Sequence, residues 1–281
     1  MITLKFVRSD GQEFSVTDSV WGLTDAKGFD KPEFKVFTES AGIGDGDIVT
    51  GSRMGSRPIN IQLKAKSAAL NEVLRRAATS FFTLGRTYDV YVYRYGEPRY
   101  APACCLQAFE IPTEKITKPI TANIGLLCPE GYFLSADDFS KNIAGIDGRC
   151  GYPYIAHEDY GRILGVYSFA TTAYLDNDGD AEAYCRAVFT ARGNVTNPKL
   201  IAGDGYVRVI GNMVQGDVLI IDGRTKAVTM NGENIATKLD KASNFRGITF
   251  AIGTNSVGYG ADIGSNVLDV YIYYNKRFMG A

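Results

Sequence analysis

One histidine, His157, is all that the 281 residues contain. That scarcity excludes every site needing two or three imidazoles, most zinc chemistries among them. No two cysteines stand in C-x-x-C spacing. Cys104, Cys105, Cys128, Cys150 and Cys185 form an odd set, and the adjacent pair would point to opposite faces of a strand. The set argues against a disulfide framework and for synthesis in a reducing compartment. No apolar run approaches the ~20 residues needed to cross a bilayer. Charges within the first ten residues stand where a signal peptide needs its apolar stretch, so the expectation is a soluble protein without a Sec-type signal. Neither sign of charge is in excess: 30 basic and 31 acidic residues give a net charge of −1. A chain so balanced has no global field with which to collect on nucleic acid or anionic lipid, so neither sequence-specific nucleic-acid binding nor a membrane partner is expected.

What is present is the composition of a globular protein, 45% apolar and 22% charged, long enough for one large domain or two ordinary ones. Glycine is raised, at 31 residues where about 7% is usual, and stands beside 17 Tyr and 15 Phe. That mixture favours many short strands joined by tight turns.

Periodicity predicts one helix, from Ser67 to about Leu84. Leu70, Val73, Leu74, Ala77, Ala78 and Phe81 form its apolar stripe, with Ser67 as N-cap and Gly85 as its stop. Ile59, Ile61 and Leu63 alternate with polar residues as in a half-buried strand. Further strands are expected at Tyr88–Tyr93, Ala103–Ile111 and Ile120–Leu127. The first half therefore reads as α+β, an antiparallel sheet or split barrel with one helix. Between Glu39 and Ser56 the pattern dissolves into a stretch with glycines at 42, 44, 46, 51 and 55. Such a segment is a long mobile loop or an arm that orders against a partner. A second break near Gly131–Gly151 sets the expected division: residues 1–135 as the first domain, 136–151 as a linker, and 152–281 as an all-β sandwich. In the latter, Val218–Ile221 and Lys226–Met230 form a hairpin, Ile248–Ile252 is a strand, and Val267–Tyr274 is a central strand.

Catalytic and metal motifs are incomplete. Gly42–Gly46 lacks both the following helix and the Lys-Ser/Thr pair of a phosphate loop. Asp176–Asp180 resembles half of an EF-hand, but Tyr174 and Cys185 stand where the first and twelfth ligands should be acidic. His157 has no second histidine for a zinc motif, and Ser256 lies outside a G-x-S-x-G context. Arg53, Arg57, Arg75 and Arg76 are the densest basic group, without the interleaved aromatics of a single-strand groove. No enzyme activity, cofactor or metal is expected.

The order of segments in the second half, Gly216–Asp222, Lys226–Asn234, Leu239-Asp240, Phe245, Gly253–Asn255 and Val270–Tyr274, with Asn197-Pro198 ahead, resembles the C-terminal domain of the distal tail proteins of long-tailed, non-contractile bacteriophages. Arg57–Leu63 with the helix after it, and Cys128–Phe133 at the expected join, resemble the N-terminal part of the same family. The resemblance implies a galectin-like or carbohydrate-binding-module-like C-terminal sandwich. It further implies a homohexameric ring at the virion tail tip, made in the host bacterial cytoplasm. That ring would dock the tail tube on one side and a tail-tip, tail-fibre or receptor-binding protein on the other. It also implies an extension that clasps the neighbouring subunit. The stretch near 39–56 is the candidate, with Ile43, Ile48, Val49 and Met54 as its apolar contacts and Arg53 and Arg57 available to a neighbour's carboxylates. A carbohydrate-binding module contacting the host surface is the alternative. The histidine–asparagine–arginine constellation of a galectin sugar site is missing, so the fold alone does not carry sugar binding over.

Overall fold

The computed structural model describes residues 2–16, 19–30, 34–40, 42, 45–94, 97–112, 118–136, 139–148, 165–169, 172–203 and 205–281. The chain forms two compact units, Met1–Asp137 with Arg277–Ala281, and Asp138–Lys276. The expected α+β domain and all-β sandwich are both present.

In the first unit the strands are β1 (Thr3–Arg8), β2 (Glu13–Val16), β3 (Trp21–Lys27), β4 (Phe34–Ser40), β5 (Asp47–Met54), β6 (Arg57–Ala65), β7 (Thr87–Tyr93), β8 (Arg99–Glu110), β9 (Thr121–Cys128) and β10 (Phe133–Ser135). All but β4 and β5 join one antiparallel sheet, whose main path runs β2-β1-β7-β8-β9-β6-β3. Alternation decides its faces: Ile59, Ile61, Leu63 and Ala65 of β6 are buried, while Pro58, Asn60 and Lys64 face outward. The helix α1 (Asn71–Phe81) follows a single 3₁₀ turn over Ala68–Leu70, where Ser67 Oγ accepts the Ala69 N–H at 3.3 Å.

Only Leu74, Ala78 and Phe81 of the helix are buried; Leu70, Val73 and Ala77, expected in the same stripe, are exposed. The helix rolls so that its Phe81 end meets an aromatic cluster. Phe81 and Phe82 pack edge-on at 4.9 Å between centroids, and Phe82 meets Phe6 at 5.4 Å. The helix also ends a turn earlier than the pattern suggests. The Tyr88 hydroxyl accepts the Thr83 N–H at 2.7 Å and lies 3.1 Å from the Phe81 carbonyl, which closes the C-terminal end from β7.

Arg8 closes the same helix end from β1. Its Nη1 donates to the Ser80 and Phe81 carbonyls at 3.0 and 2.9 Å, while its Nε and Nη2 reach Asp10 at 2.9 and 2.8 Å. The hydrogen bond from Arg8 holds the Asp10 carboxyl down at about 2, helped by the Gln12 backbone N–H. A folded-state value below that of the unfolded chain (~3.9) contributes stability that is complete above about pH 4 and is lost as the pH falls toward 2. Asp10→Asn is therefore expected to flatten the acid limb of urea stability between pH 5 and pH 2. An acid limb identical to the parent's would show that the pair contributes nothing.

The second unit contains β11 (Phe139–Gly148), β12 (Gly165–Phe169), β13 (Thr172–Asn177), β14 (Arg186–Ala191), β15 (Lys199–Ala202), β16 (Gly205–Arg208), β17 (Val218–Asp222), β18 (Ala227–Met230), β19 (Gly253–Gly260) and β20 (Leu268–Tyr274). One sheet runs β12-β11-β20-β14-β17-β18 and ends on the short strand Glu233–Asn234; the other runs β13-β19-β15-β16. Phe189, Leu219, Ile221, Val270 and Ile272 from the first share a core with Leu175, Leu200, Val207 and Val257 from the second. The β17–β18 hairpin turns as expected, with Asp222 Oδ1 accepting the Arg224 and Thr225 N–H groups. Residues 136–151, expected as a linker, instead carry β11, which pairs with β20. A bulge between Asn142 and Ala144 breaks its alternation, and Asp147-Gly148 imitates a turn, so the strand is hidden in the sequence. β20 is central as expected, with β11 on one side and β14 on the other. The strand expected over Ile248–Ile252 is reduced to Thr249–Phe250.

The last residues, expected in the second domain, return to the first unit. Arg277–Phe278 pairs with β10, and Phe278 is buried in that unit's core.

Candidate subunit-interface arm

Beyond β3 the chain leaves the main sheet, builds an antiparallel ribbon from β4 and β5, and re-enters at β6. The register pairs Phe34 with Met54, Lys35 with Arg53, Val36 with Ser52 and Phe37 with Gly51. After a bulge at Thr50 it resumes with Thr38–Val49, Glu39–Ile48 and Ser40–Asp47. Thr50 Oγ1 donates to the Phe37 carbonyl at 3.2 Å and stabilises the bulge. The pairing places Phe34, Val36, Val49 and Met54 on one face. Lys35, Phe37, Glu39, Ile48 and Arg53 lie on the other, where the Arg53 guanidinium stands 5.6 Å from the centre of the Phe37 ring.

Every residue of β4 is exposed, with Phe34 at 52% and Val36 at 56%; on β5, Ile48 is at 60% and Val49 at 63%. The ribbon pairs with no third strand among the described residues. A two-stranded hairpin on its own is marginal in water, and its edges are open to pairing. Lys35 directly opposite Arg53 adds a like-charge repulsion that a carboxylate from elsewhere would relieve.

Of the arm residues named from sequence, Ile48, Val49 and Arg53 lie on this ribbon and are exposed. Ile43 lies outside the described residues. Met54 is half-buried at the root, where its side chain packs on Gly131. Gly131 has φ +73°, and a Cβ there would lie 2.4 Å from the Gly55 carbonyl oxygen, so only glycine fits this turn. Phe34, Val36 and Phe37 were missed, because the pattern was read as dissolving only from Glu39. The apolar pair at 34 and 36 is the period-2 signal that could have found them.

Arg57 requires correction. It is 1% exposed, and every nitrogen of its guanidinium is committed inside its own unit. Nε donates to the Gly131 carbonyl at 2.8 Å, Nη1 to those of Gly28 and Asp30 at 2.9 and 2.6 Å, and Nη2 to that of Met279 at 2.5 Å. The guanidinium stacks 4.6 Å from the Phe133 ring. Burial pushes its pKa below the ordinary guanidinium value. Arg57 is thus the clamp at the root of the arm and is closed to a neighbour's carboxylates.

The remaining motifs are occupied by structure. Asn177 in the EF-hand-like turn is buried, with Nδ2 donating to the Ala181 and Phe250 carbonyls, while Asp178 pairs with Lys276 at 2.6 Å. Ser256 stands on β19, opposite Tyr174. His157 and Cys150 lie outside the described residues. Cys104, Cys105, Cys128 and Cys185 are free thiols, and burial pushes that of Cys185 well up. Among the described residues no group of three or more His, Cys, Asp or Glu could hold a metal ion. No helix among them is long and apolar enough to cross a membrane.

Residues 178–278 match the family model of the siphovirus-type tail component, C-terminal domain. No curated protein sequence matches the chain. Among solved structures, the fold resembles that of the Dit protein (gp 19.1) of phage SPP1, described as a paradigm of the hub adsorption apparatus in phages that infect Gram-positive bacteria. The TM-score is 0.64 at 12% identity over 99% of each chain. It also resembles a chain of the phage P2 baseplate in its activated conformation with calcium, with TM-score 0.56 and 12% identity over 98% of each chain. The family match lies within the sandwich, and the likeness to these two structures, both of phage tail components, extends over the fold of the whole chain.

Proposed function

We propose that this protein is a structural component of a phage tail tip that assembles as a hexameric ring. The ring joins the tail tube to the tail-tip or receptor-binding apparatus, with the β4–β5 ribbon of each subunit seated on the next. The observation that carries the reading is the ribbon itself, whose large apolar side chains stay about half exposed in their own subunit. A head-to-tail contact of this kind leaves one donor and one acceptor surface per subunit, and closes into a ring where the rotation permits. Covering Phe34, Val36, Phe37, Ile48 and Val49 contributes on the order of 1 kcal/mol apiece, repeated at each interface. The match of residues 178–278 to the siphovirus-type tail component model and the likeness of the fold to a phage hub protein support the same reading, and a location at the virion tail tip. No catalytic step and no cofactor enter this function.

Replacing residues 34–54 by a short Gly-Ser linker should convert the assembly to monomers of about the chain's 30.6 kDa, less the excised ribbon. Light scattering on gel-filtered protein reads this, while circular dichroism checks that both units remain folded. Hexamers formed without the ribbon would overturn its role. A parent protein that stays monomeric even with tail tube protein present would overturn the ring.

A further inference from the structure

The main sheet of the first unit holds two thiols side by side. The β8–β9 register sets Cys105 opposite Leu127, so the next positions, Cys104 and Cys128, are neighbours across the two strands. Both point into the core and are buried, while Cys105 points out and is exposed. Antiparallel neighbours hold their Cα atoms about 4.5 or 5.5 Å apart, inside the span of about 4.4–6.8 Å that a disulfide bridges. A bulge fixes the pair from one side. Tyr88 is opposite Cys104 and Val90 opposite Ala101, so Pro102 and Ala103 together face Asp89. Ala103 takes φ +50°, a left-handed conformation unfavourable for a residue with a Cβ, and donates its N–H to Asp89 Oδ1 at 2.8 Å. The Pro102 carbonyl oxygen lies 3.6 Å from Cys128 Sγ and 4.0 Å from Cys104 Sγ, so one oxygen meets both sulfurs.

The two thiols are chemically unequal. The hydrogen bond between them lowers the pKa of Cys128 and raises that of Cys104. Burial raises both, while the backbone N–H groups of Gly131 and Glu130 add to the lowering at Cys128. On β6, Arg57 stands directly opposite Cys128, where a thiolate and the buried guanidinium favour each other. Cys128 is therefore the sulfur that ionises first, and Cys104 the one that follows. Cys185 has the opposite setting: burial first, and the Asp222 carboxylate second, push its thiol up.

We propose that Cys104 and Cys128 form an oxidative modification site, which a small peroxide converts to a cross-strand disulfide that staples β8 to β9. The Cys128 thiolate attacks one oxygen of hydrogen peroxide and breaks the O–O bond, becoming a sulfenic acid as hydroxide leaves. The hydroxide takes up the proton that Cys128 had shed and becomes the first water. The Cys104 sulfur then attacks the sulfenic sulfur; its proton joins the departing hydroxyl as the second water, and the S–S bond closes. Two thiols lose two electrons and one peroxide gains them. The oxidant has to be small, because neither sulfur is exposed and entry waits on local opening of the sheet. The staple closes the loop of residues 105–127 on a strand, β8, that also pairs with β7 and β10. The pair is a dithiol under reducing conditions and a cross-link under oxidising ones, and neither state depends on the ring.

The test treats the full-length protein with excess hydrogen peroxide, then alkylates, unfolds and digests it without reduction for peptide mapping. Peptides joined through Cys104 and Cys128, with Cys105 and Cys185 outside the link, are the expected result. Calorimetry should place the melting of the first unit about 5 °C or more higher, and dithiothreitol should reverse the rise. Cys104→Ala removes the resolving sulfur, so Cys128 should stop at the sulfenic acid and be trapped by dimedone as the protein unfolds. Cys105→Ser leaves the core untouched and should keep the link. Cys104 and Cys128 both recovered as thiols after prolonged treatment would overturn the proposal. So would a link running through Cys105 or Cys150, or Cys128 carried on to sulfinic acid while Cys104 stays a thiol. A link that forms and leaves the melt unchanged would overturn the staple.

Discussion

Arg57→Met is expected to melt the first unit of this protein at temperatures where the second stays folded. The substitution keeps an aliphatic stem over Phe133 but removes the guanidinium, and with it donors for four carbonyls, those of Gly28, Asp30, Gly131 and Met279. An unpartnered buried carbonyl costs about 1–3 kcal/mol, and some of these will turn toward water, so a loss of about 3–5 kcal/mol is expected. Set against a typical total of roughly 5–15 kcal/mol, that is a large fraction. Scanning calorimetry should show one transition falling by ten degrees or more, while that of the sandwich stays in place. Coincident melting of parent and variant would mean that water replaces the guanidinium without cost.

Deleting Arg277–Ala281 should have an effect of the same order on the same unit. The five residues bring Phe278 into the core, beneath the guanidinium of Arg99 at 3.7 Å. They also supply the Gly280 carbonyl that Arg99 Nη1 reaches at 2.6 Å, the Met279 carbonyl that Arg57 reaches, and the Ala281 N–H that meets the Phe29 carbonyl at 2.8 Å. Loss of a buried phenylalanine alone costs about 3–5 kcal/mol. β20 ends at Tyr274 and Lys276 remains, so the second unit keeps its sheet. Limited proteolysis should then cut the truncated chain within residues 1–135 and spare 139–276. Equal resistance of both units in the truncated chain would show that the terminal strand only decorates its sheet.

The sequence was most legible where a strand buries one face and wets the other. β6 and β7 announce themselves by alternation, and the β17–β18 hairpin by its Asp-Gly turn. It was least legible where residues far apart decide the outcome. Nothing local distinguishes Arg57 from Arg53, four positions earlier. One is buried because the backbone of Gly28, Gly131 and Met279 converges on it, and the other is left in solvent on the ribbon. The helical stripe was read correctly as a period and too generously as a buried face, since Leu70, Val73 and Ala77 are exposed. The cluster of Asn197, Arg208 and Asp262, joined by hydrogen bonds, was invisible, because only strand register and loop closure bring the three together. The ribbon was half seen. Its glycines mark a break in pattern, but the strand ahead of them is short of the buried partners that make alternation persuasive.

The terminal strand also fixes an order of events during synthesis. The first unit is emitted first from the ribosome, yet it is completed only by residues 277–281. At about 5–20 residues per second, residues 138–276 occupy roughly 7–28 s of translation. For that interval the nascent first unit lacks the strand that pairs with β10 and the carbonyl that fills the last bond of Arg57. The later-made sandwich can finish folding while the earlier-made unit waits for its closing segment. Chains broken off early therefore carry an unclosed first unit.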